Sequence, residues 1–348
     1  MTRRETMIAW TLAALVTLAM ALVPSAFAWL LEGDNYWLQV YIWVLFFAQC
    51  SAAWNLIGGF AGQYSIGHAA FLGIGAYVST LLYLYAGVTP WLGMFAGGVV
   101  AAMVAAVVAY PCFRLRGAFF SLVTIAFAEM LRVGLELTDS VFGIEINGVS
   151  GLLIPPKGDA PEIFQFIAKG AYAYVMLALL TLTLAVCWAV KRSRLGYYLT
   201  AISDDEDAVA SLGINPARVK LAALLLSAFL TAMAGTFYAQ FILYITPTRT
   251  MSLDLSVQMV VTAVLGGMGT VFGPLLGAIV LVPIGELTRA FWGGSLQGVH
   301  LVIYGVLLII VILYAPKGLE PWARAGFLWL VRRLATLFGQ VQQVRAAP

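Results

Sequence analysis

Long apolar runs follow one another along most of the chain, with short polar segments between them. A helix needs about 20 mostly apolar residues to cross the hydrocarbon core of a bilayer, so these runs predict membrane-spanning helices. Ten candidate spans cover residues 7–31, 36–57, 65–87, 91–110, 118–137, 171–190, 219–243, 255–269, 273–288 and 299–314. The eighth and ninth are short and meet at a glycine-rich joint, so they form either two full spans or a broken pair that does not cross completely.

The composition indicates an integral membrane protein. Of its 348 residues, 62% are hydrophobic and 10% are charged, and the mean hydropathy is +0.94; a soluble domain carries about 25% charged residues. We therefore expect an all-α, polytopic transmembrane bundle of about ten spans with broken glycine-rich helices, formed by residues 1–348 as a single domain. The net charge of +3 does not indicate a nucleic-acid partner. Three cysteines without paired spacing indicate neither a disulfide framework nor a zinc site.

The basic residues predict the orientation, because cytoplasmic loops near spans are enriched in Lys and Arg. With ten spans both termini lie on one side, and 14 of the 19 basic residues fall there, many of them in the loop 191–218 and the tail 316–348. We expect both termini in the cytoplasm. The run at 7–31 also resembles a cleavable signal peptide, since Arg3 and Arg4 precede it. Its length favours a retained span.

The motifs of the commonest enzymes are missing. The sequence contains no GxxxxGK[ST] phosphate loop, no HExxH, no CxxC and no GxSxG, so an enzyme is not expected. We expect no resident cofactor and no metal. If the bundle moves a solute against a gradient, the energy comes either from an ion gradient or from a partner protein that binds ATP.

The loop 191–218 carries an unusual acidic cluster within an otherwise basic side of the protein. Ser203 followed by Glu206 matches a capping box, which predicts a short helix beginning there, and Gly213 is placed to end it. Asn215 and Pro216 then predict the start of the next helix. The cluster comprises Asp204, Asp205, Glu206 and Asp207. Such a rigid helix at the inner face is suited to binding a soluble partner; the alternative is a merely solvated loop.

Polar residues interrupt the glycine-rich segment around the third span. Gln63, Ser65 and His68 stand among closely spaced glycines, which favour tight helix packing. Polar groups at membrane depth are costly unless they have partners or line a wet cavity. We therefore predict that these three residues line the translocation path. A weaker glycine-rich echo at 266–280 suggests an internal repeat of a broken helix.

The fifth span contains three ionisable residues on one helix face. Glu129, Arg132 and Glu136 are spaced so that Arg132 reaches both acids, and we expect the bundle interior to house them. They form either a structural clamp or the relay of an ion-coupled transporter.

Two motifs resemble a known family. The segment GQYSIGHAAFLGIGAY, residues 62–77, closely resembles the GQxSxGHAxFxGxGAY signature of the LivM-type permeases of branched-chain amino acid ABC importers. Asp207, Ala208 and Gly213 are similar to the acidic–Ala–Ala–x3–Gly pattern of importer permeases, although Val209 replaces the second Ala. The similarity covers roughly residues 53–319.

The resemblance implies a function and a set of partners. It implies a multi-pass permease of the bacterial inner membrane that carries leucine, isoleucine or valine. The partners would be a second homologous permease, two cytoplasmic ATPases that bind the ATP, and a periplasmic or extracellular amino-acid-binding protein. By the same resemblance, residues 203–213 form the coupling helix that docks on an ATPase. Two alternatives stay open: an ABC permease for urea or short amides, and an ion-coupled secondary transporter of small polar solutes.

Overall fold

The computed structural model describes residues 20, 22–24, 36–113, 117–141, 144–146, 148–292, 299–315, 317–327, 329 and 333. Within these residues the protein is built of helices joined by short connections. The helices are α1 Tyr36–Asn55, α2 His68–Ala86, α3 Pro90–Cys112, α4 Ala118–Glu136, α5 Lys169–Arg192, α6 Arg194–Asp204, α7 Glu206–Ser211, α8 Pro216–Ile242, α9 Pro247–Thr250, α10 Leu253–Gly266, α11 Gly273–Trp292 and α12 Val299–Tyr314. A 3₁₀ turn at Pro161–Ile163 lies before α5.

Six helices of the described part are long and apolar enough to cross a membrane: α1, α2, α3, α5, α8 and α11. The predicted spans at 118–137, 255–269 and 299–314 also fold as helices. They fall outside the six because α4 carries three charged residues and because α10 and α12 have only 14 and 16 residues. The predicted span at 7–31 lies outside the described residues, apart from 20 and 22–24. The fold is an all-α, multi-pass membrane bundle.

Two glycine-rich, non-helical segments connect successive helices, and we refer to them as the glycine-rich breaks. The first is the non-helical segment 56–67 between α1 and α2, where Gly62 has φ +66°. The second lies between Gly266 and Gly273, where Gly267 has φ +124°. The third predicted span therefore begins three residues later than expected, at His68, because left-handed backbone at Gly62 does not continue a helix.

The centre of the bundle consists of α1, α2 and α8, most of whose residues are buried. Gly75 of α2 lies against the backbone carbonyl of Ala232, and Gly235 of α8 lies against the carbonyl of Leu72. A side chain at either glycine would collide with these main-chain atoms. The small residues thus let the two helices approach closely along their length, as in other membrane bundles.

Short strands cover the end of the bundle where α8 finishes. β1 Ser140–Val141 pairs with β2 Ile144–Glu145, and β3 Leu152–Leu153 pairs with β4 Tyr244–Ile245, both antiparallel. The second pair attaches the long connection between α4 and α5 to the chain that leaves α8. The opposite end of α8, at Pro216, lies beside α6 and α7.

Candidate functional site: the inner helical segment and the glycine-rich breaks

The acidic cluster lies where α6 ends and α7 begins, and the prediction that Ser203 caps a helix is wrong. Ser203 does not cap a helix, because α6 runs through it to Asp204. Asp205 has an extended backbone, and its carboxylate accepts hydrogen bonds from the amides of Asp207 and Ala208, both at 3.0 Å. Asp205 is therefore the N-cap of α7. We refer to residues 194–213 as the inner helical segment.

The end of this segment follows the sequence-based expectation. Gly213, two residues after the end of α7, adopts φ +84°, a conformation that glycine takes without strain. Asn215 then caps α8 by accepting a hydrogen bond from the Arg218 amide at 3.2 Å, and Pro216 occupies the first turn. The two helices and the start of α8 are thus joined through a short, well-defined turn.

The inner helical segment buries one face and exposes the other. Leu199, Ile202 and Val209 are buried against the bundle. The exposed residues include Tyr197, Ser203, Asp204, Asp205, Asp207, Ala208 and Gly213. Leu212 is 78% exposed at the tip, next to Gly213. The segment therefore presents carboxylates at the start of α7 and an apolar side chain just after its end.

A buried ion pair connects α7 to α8. Glu206 is the acid of the cluster that turns inward, and its carboxylate lies 2.7 Å from the ammonium of Lys220. The Lys220 side chain is 1% exposed, whereas that of Glu206 is 21% exposed. Because a buried ammonium is costly without a counter-ion, this pair holds the inner helical segment firmly on α8.

His68 lies at the start of α2 and connects three helices. Its Nδ1 lies 2.8 Å from Ser65 Oγ, and its Nε2 lies 2.8 Å from Ser227 Oγ of α8. Ser227 Oγ in turn donates to the carbonyl of Ala53 in α1 at 2.6 Å. His68 is completely buried. Both ring nitrogens have partners, so its geometry is that of a residue that fixes α1, α2 and α8 together.

The other two predicted path residues lie in the first break rather than in a helix. Ser65 is buried, and its carbonyl accepts a hydrogen bond from Trp54 Nε1 at 2.6 Å. Gln63 is half-buried, and its Oε1 has no hydrogen-bond partner among the described residues. The structure thus brings Ser65 and His68 together. The Ser65 amide also donates to the Gln63 carbonyl at 2.9 Å, but the Gln63 side chain takes no part in these hydrogen bonds.

The two glycine-rich breaks contact each other and the inner helical segment. Asn55, at the end of α1, donates to the carbonyl of Thr270 at 2.7 Å and accepts from the amide of Gly269 at 3.0 Å. Lys191 Nζ donates to the Gly269 carbonyl at 2.9 Å. A Cβ on Gly62 would stand 2.8 Å from Ser203 Oγ. Both breaks therefore lie at the same end of the bundle as the inner helical segment.

The charged residues of α4 pair as predicted, but they lie near the surface rather than in the interior of the bundle. Arg132 bonds to Glu129 and, at 2.6 Å, to Glu136. The expectation that the interior houses them is wrong for the isolated chain, because the Glu129 side chain is 51% exposed and those of Arg132 and Glu136 are 21% and 30% exposed. They are close to the surface because α4 packs on the edge of the bundle.

A mostly apolar cleft opens beside Ser65. Its volume is only about 10 Å³, and it lies between α2, α3, α4 and α8. Thr124 lies in its wall and accepts a hydrogen bond from the Ile66 amide at 3.1 Å. The remaining lining residues are Gly67, Ala70, Phe71, Val108, Cys112, Phe120, Phe127 and Leu224. A cavity of this size is about as large as a single water molecule, so it does not hold a substrate in this state.

Sequence reasoning missed three residues that organise this end of the protein. Lys220 is 14 positions from the predicted site residue Glu206 and lies on a different helix, so no local spacing indicates that they pair. Ser227 looks like an ordinary small residue of a packed helix, and only its position opposite His68 reveals its role. Asn55 was visible as a polar residue at a helix end, which is the one usable signal among the three.

The amino-acid sequence is similar to those of known transport proteins. The chain is 29% identical over 324 residues to the high-affinity branched-chain amino acid transport system permease protein LivM of Salmonella typhimurium, covering 88% of this chain and 75% of that protein. LivM of Escherichia coli is also 29% identical, over 331 residues, covering 87% and 74%. LivH of Salmonella typhimurium is 25% identical over 286 residues, covering 78% and 90%. No solved structure matches the chain.

A family model extends over almost the whole described bundle. The model, described as the permease component of branched-chain amino acid transport systems, matches residues 36–312, from the start of α1 into α12. The relatives are transport permeases, which agrees with the expectation that the chain is not an enzyme. The chain belongs to the family of branched-chain amino acid transport system permease components.

Proposed function

We propose that this protein is the membrane permease subunit of an ABC importer for leucine, isoleucine and valine. The observation that carries the proposal is the family match over residues 36–312, together with the similarity to LivM over most of the chain. The chain has no phosphate-loop motif, so separate ATPase subunits bind the ATP.

The partner in the membrane is a second, homologous permease. This chain is similar both to LivM and to LivH of the same bacterium, and a pair of related permeases explains why one chain resembles both. The exposed ion pairs of α4 fit such an arrangement. Half-exposed Glu129 cannot face hydrocarbon without a large cost, so α4 faces a protein partner or an aqueous path. An external binding protein completes the importer.

The inner helical segment is the docking site for an ATPase subunit. Its exposed acids and Leu212 supply the contact, and its buried side joins it to the transport bundle. Movement of the segment passes to α8 through the Glu206–Lys220 pair and reaches Ser65 and His68 through Ser227. In the proposed mechanism, the path is closed at its inner end while the hydrogen bonds of His68 are intact. Breaking these hydrogen bonds opens the path. Gln63 lines the opened path.

The topology follows from this assignment. The end with both breaks is cytoplasmic, since Lys191, Arg192 and Arg218 surround it, and the β3–β4 end is external. Helices α4, α10 and α12 complete the crossings together with the first apolar run, so residues 1–348 form one domain of about ten spans. Both termini, including the tail 316–348, are then on the cytoplasmic side of a bacterial inner membrane.

Competition for uptake tests the substrate. Radiolabelled leucine is supplied to cells that express the complete transporter, with unlabelled isoleucine, valine, urea or acetamide in excess. We expect isoleucine and valine to suppress leucine uptake and urea and acetamide to leave it unchanged. Uptake of urea or acetamide in place of leucine would assign the protein to an amide permease and refute the proposed substrate.

A further inference from the structure

We propose that Ser79 of α2 and Gln240 of α8 form an occluded subsite for the charged end of a zwitterionic α-amino acid. The proposal rests on the function proposed above and adds the place in the path where the ammonium and carboxylate groups are received. It starts from two polar side chains that are completely buried and that no packing role explains.

Neither side chain has a partner in the part of the chain that the structure describes. Gln240 is 0% exposed, and both Oε1 and Nε2 lack a hydrogen bond. Ser79 is also 0% exposed, and its Oγ lacks one. Buried polar groups are normally hydrogen-bonded, so a buried amide with both ends unsatisfied needs an explanation. A ligand present in another transport state supplies one.

Helix register places the two residues at the same level of two neighbouring helices. Both α2 and α8 start at the end of the bundle that carries the inner helical segment, and they run in parallel, with His68 opposite Ser227 and Gly75 opposite Thr236. Thr236 Oγ1 lies 3.3 Å from the Gly75 carbonyl. One helical turn further along each helix come Ser79 and Gln240, since α-helices have 3.6 residues per turn.

The third wall of this subsite comes from α3. A Cβ on Gly93 would stand 2.8 Å from Ser79 Oγ, so α3 passes directly over the serine. A glycine here brings the backbone of α3 close and leaves the serine hydroxyl without a covering side chain. The subsite thus lies between three helices, toward the external ends of α2 and α8, where substrate enters.

The chemistry of the pair suits a zwitterion. The carboxamide of Gln240 offers N–H donors to a carboxylate and a carbonyl acceptor to an ammonium group, and the hydroxyl of Ser79 does both. Neutral groups of mixed character match a ligand whose net charge is zero. A buried charged residue would instead favour one end of the ligand and repel the other.

Replacing Gln240 by leucine separates a binding role from a structural one. The unsatisfied amide destabilises the resting protein, so Gln240→Leu is expected to leave the Tm of the purified permease complex unchanged or raised. Leucine transported per ATP hydrolysed in proteoliposomes of the complete importer should fall at least tenfold. Ser79→Ala, a smaller change that keeps the fold, should lower the same ratio.

Gln49 provides the matched control, because it is a buried glutamine of α1 whose Nε2 donates to Thr183 and to the Leu230 carbonyl. Gln49→Leu should lower the Tm and leave the transport ratio unchanged. Normal coupling in both Gln240→Leu and Ser79→Ala would overturn the subsite while leaving the importer function intact. A wild-type complex that transports none of the three amino acids would instead overturn the proposed function and the subsite with it.

Discussion

At the scale of single residues, the most consequential contact is the ion pair between Glu206 and Lys220. Its two sides are unequal, because the lysine is completely covered and the glutamate is partly hydrated. Removing either partner therefore has different consequences, since only the lysine is left as a buried, uncompensated charge. The same contact lies between the proposed docking surface and the helix that touches His68.

We predict that Glu206→Gln lowers the free energy of unfolding by about 3 kcal/mol, because it leaves the Lys220 ammonium buried without a counter-ion. Lys220→Met should cost less than about 1 kcal/mol, since Glu206 reaches water and the methionine fills the space of the lysine stem. Denaturant unfolding of the purified permease in detergent measures both values. Equal losses in the two variants would contradict the asymmetry.

The pair is also predicted to carry coupling. Lys220→Met should reduce leucine uptake severalfold while the ATPase subunits stay attached, because the inner helical segment is no longer fixed to α8. The double variant Glu206→Lys with Lys220→Glu restores opposite charges and should recover part of the uptake. Full uptake in Lys220→Met would show that force reaches the bundle by another route.

At the scale of elements, local sequence rules worked where a helix boundary depends on neighbouring residues. Asn215, Pro216 and Gly213 occupy the positions that capping rules predict. The prediction that Ser203 caps a helix is wrong because α6 continues through Ser203 to Asp204. Leu199 and Ile202 are buried and stabilise this part of α6, which a four-residue capping pattern does not reveal. The predicted start of the third span is three residues too early. The segment before His68 is non-helical because Trp54 and Asn55 stabilise it through hydrogen bonds that a local pattern does not reveal.

The inner helical segment yields a docking prediction. Leu212→Glu should remove the ATPase subunits from the purified permease, because a charge replaces the exposed apolar tip of the contact. Membrane insertion should be unchanged, since Leu212 makes no contribution to the core. Affinity purification followed by quantification of bound subunits measures the effect.

Leu153 offers a matched control for that variant. It is 68% exposed on β3, at the opposite end of the bundle. Leu153→Glu should therefore retain the ATPase subunits in full. Retention in Leu212→Glu, or equal loss in both variants, would exclude the inner helical segment as the ATPase contact.

At the scale of the whole molecule, hydropathy correctly predicted an all-α membrane bundle. It did not determine the number of membrane crossings, because that number depends on helices that are short or carry charged residues. Periodicity cannot tell whether α10 and α11 cross separately, because their joint is set by contacts between Gly269 and Asn55, far apart in sequence. Likewise, the exposure of the α4 ion pairs depends on where α4 packs, which the spacing of three charges does not reveal.

Cysteine labelling tests the proposed orientation. The native thiols Cys50, Cys112 and Cys187 are buried, so background reaction with a membrane-impermeant maleimide should be low. Lys157→Cys should react in intact cells, whereas Ser203→Cys should react only after the membrane is opened. Reaction of Ser203→Cys from outside would invert the topology and place the inner helical segment away from ATP.

The most direct test of the whole account is leucine accumulation in proteoliposomes that contain the complete transporter and enclosed ATP, with ionophores added to abolish every ion gradient. Accumulation should continue in the wild type and stop in Leu212→Glu, because the bundle is driven by an ATPase that acts on the inner helical segment. Accumulation by the isolated permease on an imposed ion gradient, without ATP or partner subunits, would contradict the account.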